Sequence, residues 1–347
     1  MQTRTFLNYI HNFRGIAIIF IVAAHIFLLW EIEEGTPVIK IILDAIWRNG
    51  TVLFVFIAGY LFQYLKSKYN YKDYLVKKIK FVILPYLLIS IPVIVFRFFI
   101  SPPEDVYNAF PDYFEWSLIK KVIFFLVTGT HLLPFWFIPM IFLYYLISPA
   151  FIYLDNRPHL YKFILPILIL LSLFIERGNR GDLHNIHKNF VHFLSVYTFG
   201  MWFSHYSAKI LNWSEKFKWI IIVLFFTLFG LTLLYHQAAW YDQLLYVQKM
   251  LLCWILFYFL YKMEGAIPKK INQFLGFFAD YSFGVFFIHY IIFLVLKMIF
   301  EKAFPHFLVG SLFNWLFVFA LTLLLSLLSV RIIKFIFPKR SRYLIGC

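Results

Sequence analysis

The stretch Asn12–Trp30, NFRGIAIIFIVAAHIFLLW, decides the fold class of this chain. It is almost entirely apolar and close to the length of about 20 residues that a helix needs to cross a bilayer. It also carries Arg14 near its start and His25 in its middle. Ionisable side chains inside a membrane are costly, so their presence here needs a physical reason.

Arg14 and His25 lie on one face of the predicted helix. They are eleven residues apart, which is three turns plus roughly 20° of rotation and about 16 Å along the helix axis. Arg14 then lies at headgroup level and His25 deep in the membrane, and the small residue Gly15 would let a neighbour approach closely. Two simpler interpretations stay open: Arg14 as a surface anchor, and His25 as a hydrogen-bonding group between helices.

The composition predicts an all-α, polytopic membrane protein. Of the 347 residues, 62% are hydrophobic and 14% are charged, and the mean hydropathy is +0.78. A soluble chain carries roughly a quarter charged residues, and the apolar runs do not alternate with polar residues as barrel strands do. The first run is long and lacks a small-residue cleavage site, so we expect it to stay as a membrane helix.

Ten membrane spans are predicted within a single membrane-embedded domain covering residues 1–347. A further apolar stretch, 117–131, is short, and we expect it to lie on the membrane or dip into it without crossing. The ten spans are 13–31, 50–65, 81–100, 134–153, 160–176, 189–206, 218–236, 244–262, 273–298 and 308–336.

The distribution of basic residues predicts that both termini are cytoplasmic. In the ten-span arrangement, the inner segments hold twenty of the 32 lysines and arginines, and six lysines fall between Lys66 and Lys80. Such a bias towards the cytoplasmic side sets the orientation of membrane helices. The formal net charge of +15 is therefore explained by basic loops, and we expect no nucleic-acid partner.

Several segments resemble the acyltransferase-3 family of integral membrane acyltransferases. The arginine, ten residues and then a histidine of the first span are similar to the start of that family, and the likeness continues along nearly the whole chain. The further matching segments are LFVFIAGYLF (Leu53–Phe62), YLVKKIKFVILPY (Tyr74–Tyr86), FWFIPMIFLYYLISP (Phe135–Pro149) and LGFFADYSFGVFFIHY (Leu275–Tyr290).

The chain also departs from the family pattern. Lys77, Lys78 and Lys80 stand where many members carry arginines, and Pro139 interrupts the fourth predicted span. The chain ends soon after the last predicted span, so the extracytoplasmic hydrolase-like domain of longer members is not expected.

The resemblance implies an O-acyltransferase of the bacterial inner or plasma membrane. Such an enzyme moves an acyl group, usually acetyl, from cytoplasmic acyl-CoA to a carbohydrate hydroxyl at or beyond the outer face. Members of this size resemble those that modify exopolysaccharides or surface glycans. A polysaccharide synthase or export complex is therefore an expected partner, in addition to acyl-CoA, the glycan acceptor and the lipid bilayer.

The residues fit this chemistry. Arg14, with Lys77, Lys78 and Lys80, could hold the anionic head of acetyl-CoA, because guanidinium and ammonium groups bind phosphates. His25 could then act as general base towards a sugar hydroxyl. A two-step route through an acyl-histidine intermediate is equally open.

Three further residues are candidates for substrate binding. The family pattern places a histidine at His289. Trp136 could stack on a sugar, although membrane-interface belts also use tryptophan, and Arg48 could hold an anionic glycan, although snorkelling is the simpler explanation. Asp280, on the same span as His289, is expected to pair with a lysine.

Two alternatives belong to other classes of function. Asp182, His184 and His187 have the side chains of metal ligands, but their spacing matches no known site and they fall in a polar loop, so no metal is expected. A glycan exporter or proton-coupled transporter would also bury histidine, aspartate and arginine. The chain shows no inverted repeat with corresponding broken helices, so the acyltransferase is preferred.

Overall fold

A computed structural model describes residues 7–27, 37–100, 106, 110–175, 177, 185–304 and 311–347. Within these residues the fold is all-α, as the composition predicts. The helices are α1 (Asn8–Phe27), α2 (Pro37–Trp47), α3 (Thr51–Tyr64), α4 (Tyr71–Lys78), α5 (Leu84–Phe99), α6 (Leu118–Thr128), α7 (Phe137–Leu146), α8 (Ser148–Asp155), α9 (Tyr161–Phe174), α10 (Ile186–His205), α11 (Ser207–Leu234), α12 (Tyr241–Lys262), α13 (Lys269–Ala303), α14 (Leu312–Ile336) and α15 (Ser341–Leu344).

The described residues contain fewer candidate spans than the ten predicted. Seven single helices are long and apolar enough to cross a membrane, and the number rises to nine if each of two bent helix pairs counts as one span. Helix α10 occupies the sixth predicted span but is not among the candidates. Polar residues such as Asn189, His192 and Ser195 dilute its apolar character, and they are buried inside the bundle.

The stretch 117–131 and the fourth and fifth predicted spans together form two bent helix pairs. Helices α6 and α7 meet at 72°, and the segments Ser148–Asp155 and Pro158–Phe174 meet at 97°. The predicted helix within 117–131 is present as α6, which has 11 residues. Pro139 does not interrupt α7, contrary to expectation, because it lies in the first turn, where a backbone N–H has no partner within the helix.

The corner between α6 and α7 requires glycine at position 129. Gly129 has φ of 73° and ends α6 in the left-handed conformation, which glycine adopts without steric cost. A Cβ at this position would overlap the backbone of Phe135 and Trp136. Helix α5 packs against this corner, where Tyr86 donates a hydrogen bond to the Leu126 carbonyl at 2.8 Å. The corner thereby fixes where Trp136 lies.

Helices α1 and α13 pack in parallel along the centre of the molecule. Near their N-terminal ends, Asn12 donates a hydrogen bond to Asn272 at 2.7 Å. One turn further along, a Cβ at Gly15 would overlap the carbonyl of Leu275, so the two backbones touch. Gly15 therefore permits the close approach that its size predicted.

Helices α3 and α10 form the other half of the core. Their contact includes aromatic rings, with Phe56 lying 5.6 Å from Phe199 and 5.2 Å from Phe203 between ring centroids. Phe13 of α1 lies 5.8 Å from Phe56 and joins the two helix pairs. This packing holds α1, and the histidine it carries, at the middle of the bundle.

Gly15→Ala should destabilise the protein, whereas Gly230→Ala should not. The added methyl group of the first variant meets the Leu275 backbone, while nothing lies within 4 Å of a Cβ at Gly230 of α11. Overpacking costs about 1–3 kcal/mol. Thermal unfolding in detergent should therefore occur at a lower temperature in Gly15→Ala alone. Equal unfolding temperatures for the two variants would contradict the close contact of α1 with α13.

Candidate functional site

The structure brings His25 of α1 and His289 of α13 together. His25 Nδ1 lies 3.2 Å from His289 Nε2, and the ring centroids are 5.1 Å apart. His289 is fully buried, and His25 is half-buried. The ring of Tyr290 lies 5.7 Å from that of His25 and completes the aromatic surroundings of the pair.

Backbone carbonyls determine which nitrogen of each histidine carries the proton. His25 Nδ1 lies 2.8 Å from the Ile21 carbonyl, and His289 Nδ1 lies 2.9 Å from the Val285 carbonyl. A carbonyl oxygen only accepts hydrogen bonds, so in each neutral ring the proton is on Nδ1 and the lone pair is on Nε2. The lone pair of His289 then faces the N–H of His25, and His25 keeps its own Nε2 as a base.

His25 lines a cleft with about 280 Å³ of empty space, including its opening to solvent. We call it the histidine cleft, and its remaining walls come from α1, α3, the corner before α7, the start of α7, and α13. These walls are Ile21, Thr51, Phe54, Pro134, Trp136, Phe137 and Phe286. Of the predicted substrate-binding residues, Trp136 lines the cleft, whereas His289 lies behind His25.

An arginine that the sequence did not single out lies behind Trp136. The guanidinium of Arg177 lies 5.1 Å from the Trp136 ring and donates a hydrogen bond to Asn49 Oδ1 at 3.0 Å. Trp136 also stacks on Phe193, with 5.6 Å between centroids. Burial lowers the pKa of Arg177 to about 10, which leaves it charged at neutral pH. Arg177 lies in a loop outside any periodic segment, so no sequence pattern could have found it.

Arg48, the third predicted substrate contact, is already paired with two carboxylates. It lies 3.4 Å from Asp44 and 3.1 Å from Asp242, and its guanidinium lies 5.5 Å from the centre of the Tyr241 ring. Its charge is therefore largely compensated by the protein itself. Contact between Arg48 and a substrate stays a prediction.

Arg14 faces α13, as the helical spacing predicts. Its guanidinium lies 3.3 Å from His11 Nδ1, and His11 Nε2 lies 3.4 Å from Asp280. The expectation that Asp280 pairs with a lysine is wrong, because His11 reaches it from the facing helix. The Nε atom of Arg14 is buried and has no hydrogen-bond partner in the described part of the chain, so a donor remains available for an anion.

The three predicted lysines lie at the same end of the molecule as Arg14. Lys77 and Lys80 are exposed, and the Lys78 ammonium lies 4.5 Å from the centre of the Tyr145 ring. The C-terminal segment connects this region to Arg14, because Arg342 lies close to Lys78 and Cys347 lies close to Arg14. A π-helical segment, Ile79–Ile83, follows Lys77 and Lys78 and contains Lys80, and such segments are frequent at functional sites.

The metal interpretation involves residues that are only partly described. Asp182 and His184 lie outside the described residues, and His187 is exposed at the start of α10. Among the residues that the structure does describe, no group of three or more histidine, cysteine, aspartate or glutamate side chains could hold a metal ion.

The fold agrees with the result of a comparison with protein families. The family model described as an acyltransferase domain matches residues 7–331, so the chain belongs to the acyltransferase-3 family. Together with the apolar helices, this membership identifies a multi-pass membrane acyltransferase. No curated protein and no solved structure matches the chain.

The hydrogen bonds of the histidine pair predict one tautomer of His25. Imidazole ¹⁵N spectra of the protein in lipid should show His25 protonated at Nδ1 and unprotonated at Nε2 at neutral pH. Exposed His159 serves as the control, because its ring makes no hydrogen bond to a backbone carbonyl within the described residues. A His25 ring protonated only at Nε2 would contradict the assignment.

Proposed function

We propose that this chain is an O-acetyltransferase that moves an acetyl group from acetyl-CoA to a hydroxyl of an exported or surface polysaccharide. The observation that carries the proposal is the His25–His289 pair at the edge of a cleft that Trp136 also lines. Membership of the acyltransferase family supports an enzyme rather than the transporter that buried ionisable residues alone would also allow.

His25 is the general base in this proposal. Its Nε2 takes the proton of the sugar hydroxyl as the hydroxyl oxygen attacks the thioester carbonyl. The tetrahedral intermediate then expels coenzyme A as its thiol, which receives the proton from the His25 imidazolium. The alternative through an acyl-histidine uses the same Nε2 lone pair as nucleophile, so both routes depend on the tautomer that the backbone fixes.

His289 positions His25 and stabilises its charged form. When Nε2 of His25 gains a proton, its Nδ1–H becomes more acidic and donates more strongly to acceptors. The Ile21 carbonyl and the Nε2 lone pair of His289 lie 2.8 Å and 3.2 Å away. The buried, neutral His289 can therefore accept this hydrogen bond without adding a charge to the interior. A carboxylate at the same place would be charged and would need further compensation.

The donor enters from the end of the bundle that carries Arg14. Its buried, unpartnered Nε and the nearby Lys78 and Arg342 form a basic region, and phosphates bind such regions through charge-assisted hydrogen bonds. With the nucleotide at this end, the pantetheine arm runs along α1 for the ~16 Å that separates Arg14 from His25.

The acceptor enters from the opposite end, where Trp136 lines the cleft. Because Trp136 already stacks on Phe193, only the part of its ring that faces the cleft remains for a sugar. This arrangement fits an enzyme of the inner or plasma membrane whose acceptor arrives on the outer side. A polysaccharide synthase or exporter would deliver such an acceptor.

His25→Ala and His25→Gln should both abolish acetyl transfer. Loss of a general base costs 10²–10⁴-fold in rate, and glutamine keeps hydrogen-bonding groups but cannot accept a proton at neutral pH. The measurement is labelled acetyl transferred per enzyme from acetyl-CoA to candidate glycans. His236→Ala, in the turn that follows peripheral helix α11, is the matched control and should keep full activity. If monodisperse His25→Ala retains more than about a tenth of the wild-type rate, His25 is not the base.

Arg14→Ala should weaken acetyl-CoA binding, and Arg14→Lys should restore only part of it. A hydrogen bond to a charged group contributes about 1.5–3 kcal/mol, and an ammonium cannot reproduce the two-pronged guanidinium contact. Calorimetry in detergent measures the affinity. Arg157→Ala is the control, since Arg157 is exposed and stacks on Tyr153 at 3.7 Å. Unchanged affinity in folded Arg14→Ala would reduce Arg14 to a membrane anchor.

A further inference from the structure

A second, larger groove lies between α9, α10 and α11. Its empty space is about 780 Å³, including its opening to solvent, compared with about 280 Å³ for the histidine cleft. We call it the cationic groove, because basic and aromatic side chains alternate along its walls. These include His159, Lys162, Lys209, Trp202, Tyr206 and Trp213.

The charge of this groove is not compensated from within the described chain. His159, Lys162 and Lys209 are exposed, and no ion pair with a carboxylate is recorded for them among the described residues. Asp155, which accepts a hydrogen bond from Tyr161 of the groove wall, is buried and already paired, because Lys66 and His205 contact it at 2.7 Å and 2.9 Å. The groove therefore presents net positive charge to whatever enters it.

Two helices begin beside the groove and contribute its lysines. Helices α9 and α11 begin at Tyr161 and Ser207, beside the groove, and neither start is capped by a side-chain hydrogen bond. Lys162 and Lys209 lie in the first turns of the same two helices.

The groove lies on the outer surface of the bundle. Helix α11 is peripheral, since only 6% of the residues in its most apolar stretch are buried. Exposed apolar side chains such as Trp219, Ile220 and Phe226 follow Lys209 along it. An occupant of the groove thus has its anionic part beside Lys162 and Lys209 and an apolar surface leading away along α11.

We propose that the cationic groove binds an anionic phospholipid of the bilayer, with the phosphate at Lys162 and Lys209. The tryptophan and tyrosine rings then lie at headgroup level, where amphipathic rings are favoured, and the acyl chains run along α11. Lys66, which contacts Asp155 behind the groove, belongs to the basic segment expected on the cytoplasmic side, so the lipid comes from that leaflet, which is rich in anionic headgroups.

This groove is separate from the proposed reaction centre. None of its lining residues belongs to α1, which carries Arg14 and His25, or to α13, which carries His289. Lipid binding therefore does not depend on the acetyltransferase proposal, and the two can fail independently.

Native mass spectrometry of the purified chain in neutral detergent tests the proposal. Phosphatidylglycerol and phosphatidylcholine are titrated separately, and the wild type should bind phosphatidylglycerol more tightly. Lys162→Ala with Lys209→Ala should lower that affinity roughly thirtyfold. Lys68→Ala with Lys216→Ala is the matched control, because both are exposed lysines outside the groove, and it should bind like the wild type.

Three outcomes would overturn the assignment. Equal phosphatidylglycerol binding by the groove variant and the control would place the lipid elsewhere. Full competition by glycerol 3-phosphate would show a site for a free phosphate. Displacement of phosphatidylglycerol by acetyl-CoA would show a site for the acyl donor. All four lysines are exposed, so loss of folding should not obscure these results.

Discussion

The backbone contact between α1 and α13 at Gly15 is the constraint on which the proposed site depends. Because no Cβ fits between Gly15 and the Leu275 carbonyl, the two parallel helices touch, and their registers are fixed by Asn12 and Asn272. Three turns further along, this register sets His25 against His289 at 3.2 Å. A wider crossing would separate the imidazoles and leave a buried His289 without its partner, which is costly in a membrane interior.

The bend between α6 and α7 places residues in the wall of the histidine cleft that a straight helix would not place there. A continuous span at residues 118–146 would run past His25, whereas the 72° bend at Gly129 turns the backbone and places Pro134 and Trp136 in the wall of the cleft. Irregular backbone in a membrane is tolerated where protein groups satisfy it or where it lines a cavity. Here Tyr86 of α5 satisfies part of the irregular backbone, because its hydroxyl donates a hydrogen bond to the Leu126 carbonyl.

The sequence predicts the parts of the site that follow from helical periodicity. The shared face of Arg14 and His25 needs only 3.6 residues per turn, and both face α13 in the structure. His289 was found through its likeness to a family segment, but its place behind His25 depends on the register of two distant helices. Three other features depend on tertiary packing, which no local sequence pattern encodes. They are the direction of the bend at Gly129, the contact of His11 with Asp280 and the position of Arg177.

The position of the bound acetyl donor tests the account most directly. Electron cryomicroscopy of the protein in nanodiscs with a non-transferable thioether analogue of acetyl-CoA would locate both ends of that molecule. The account predicts the nucleotide beside Arg14 and the acyl group in the cleft between His25 and Trp136. A nucleotide bound away from Arg14, or an acyl group that ends outside this cleft, would contradict it.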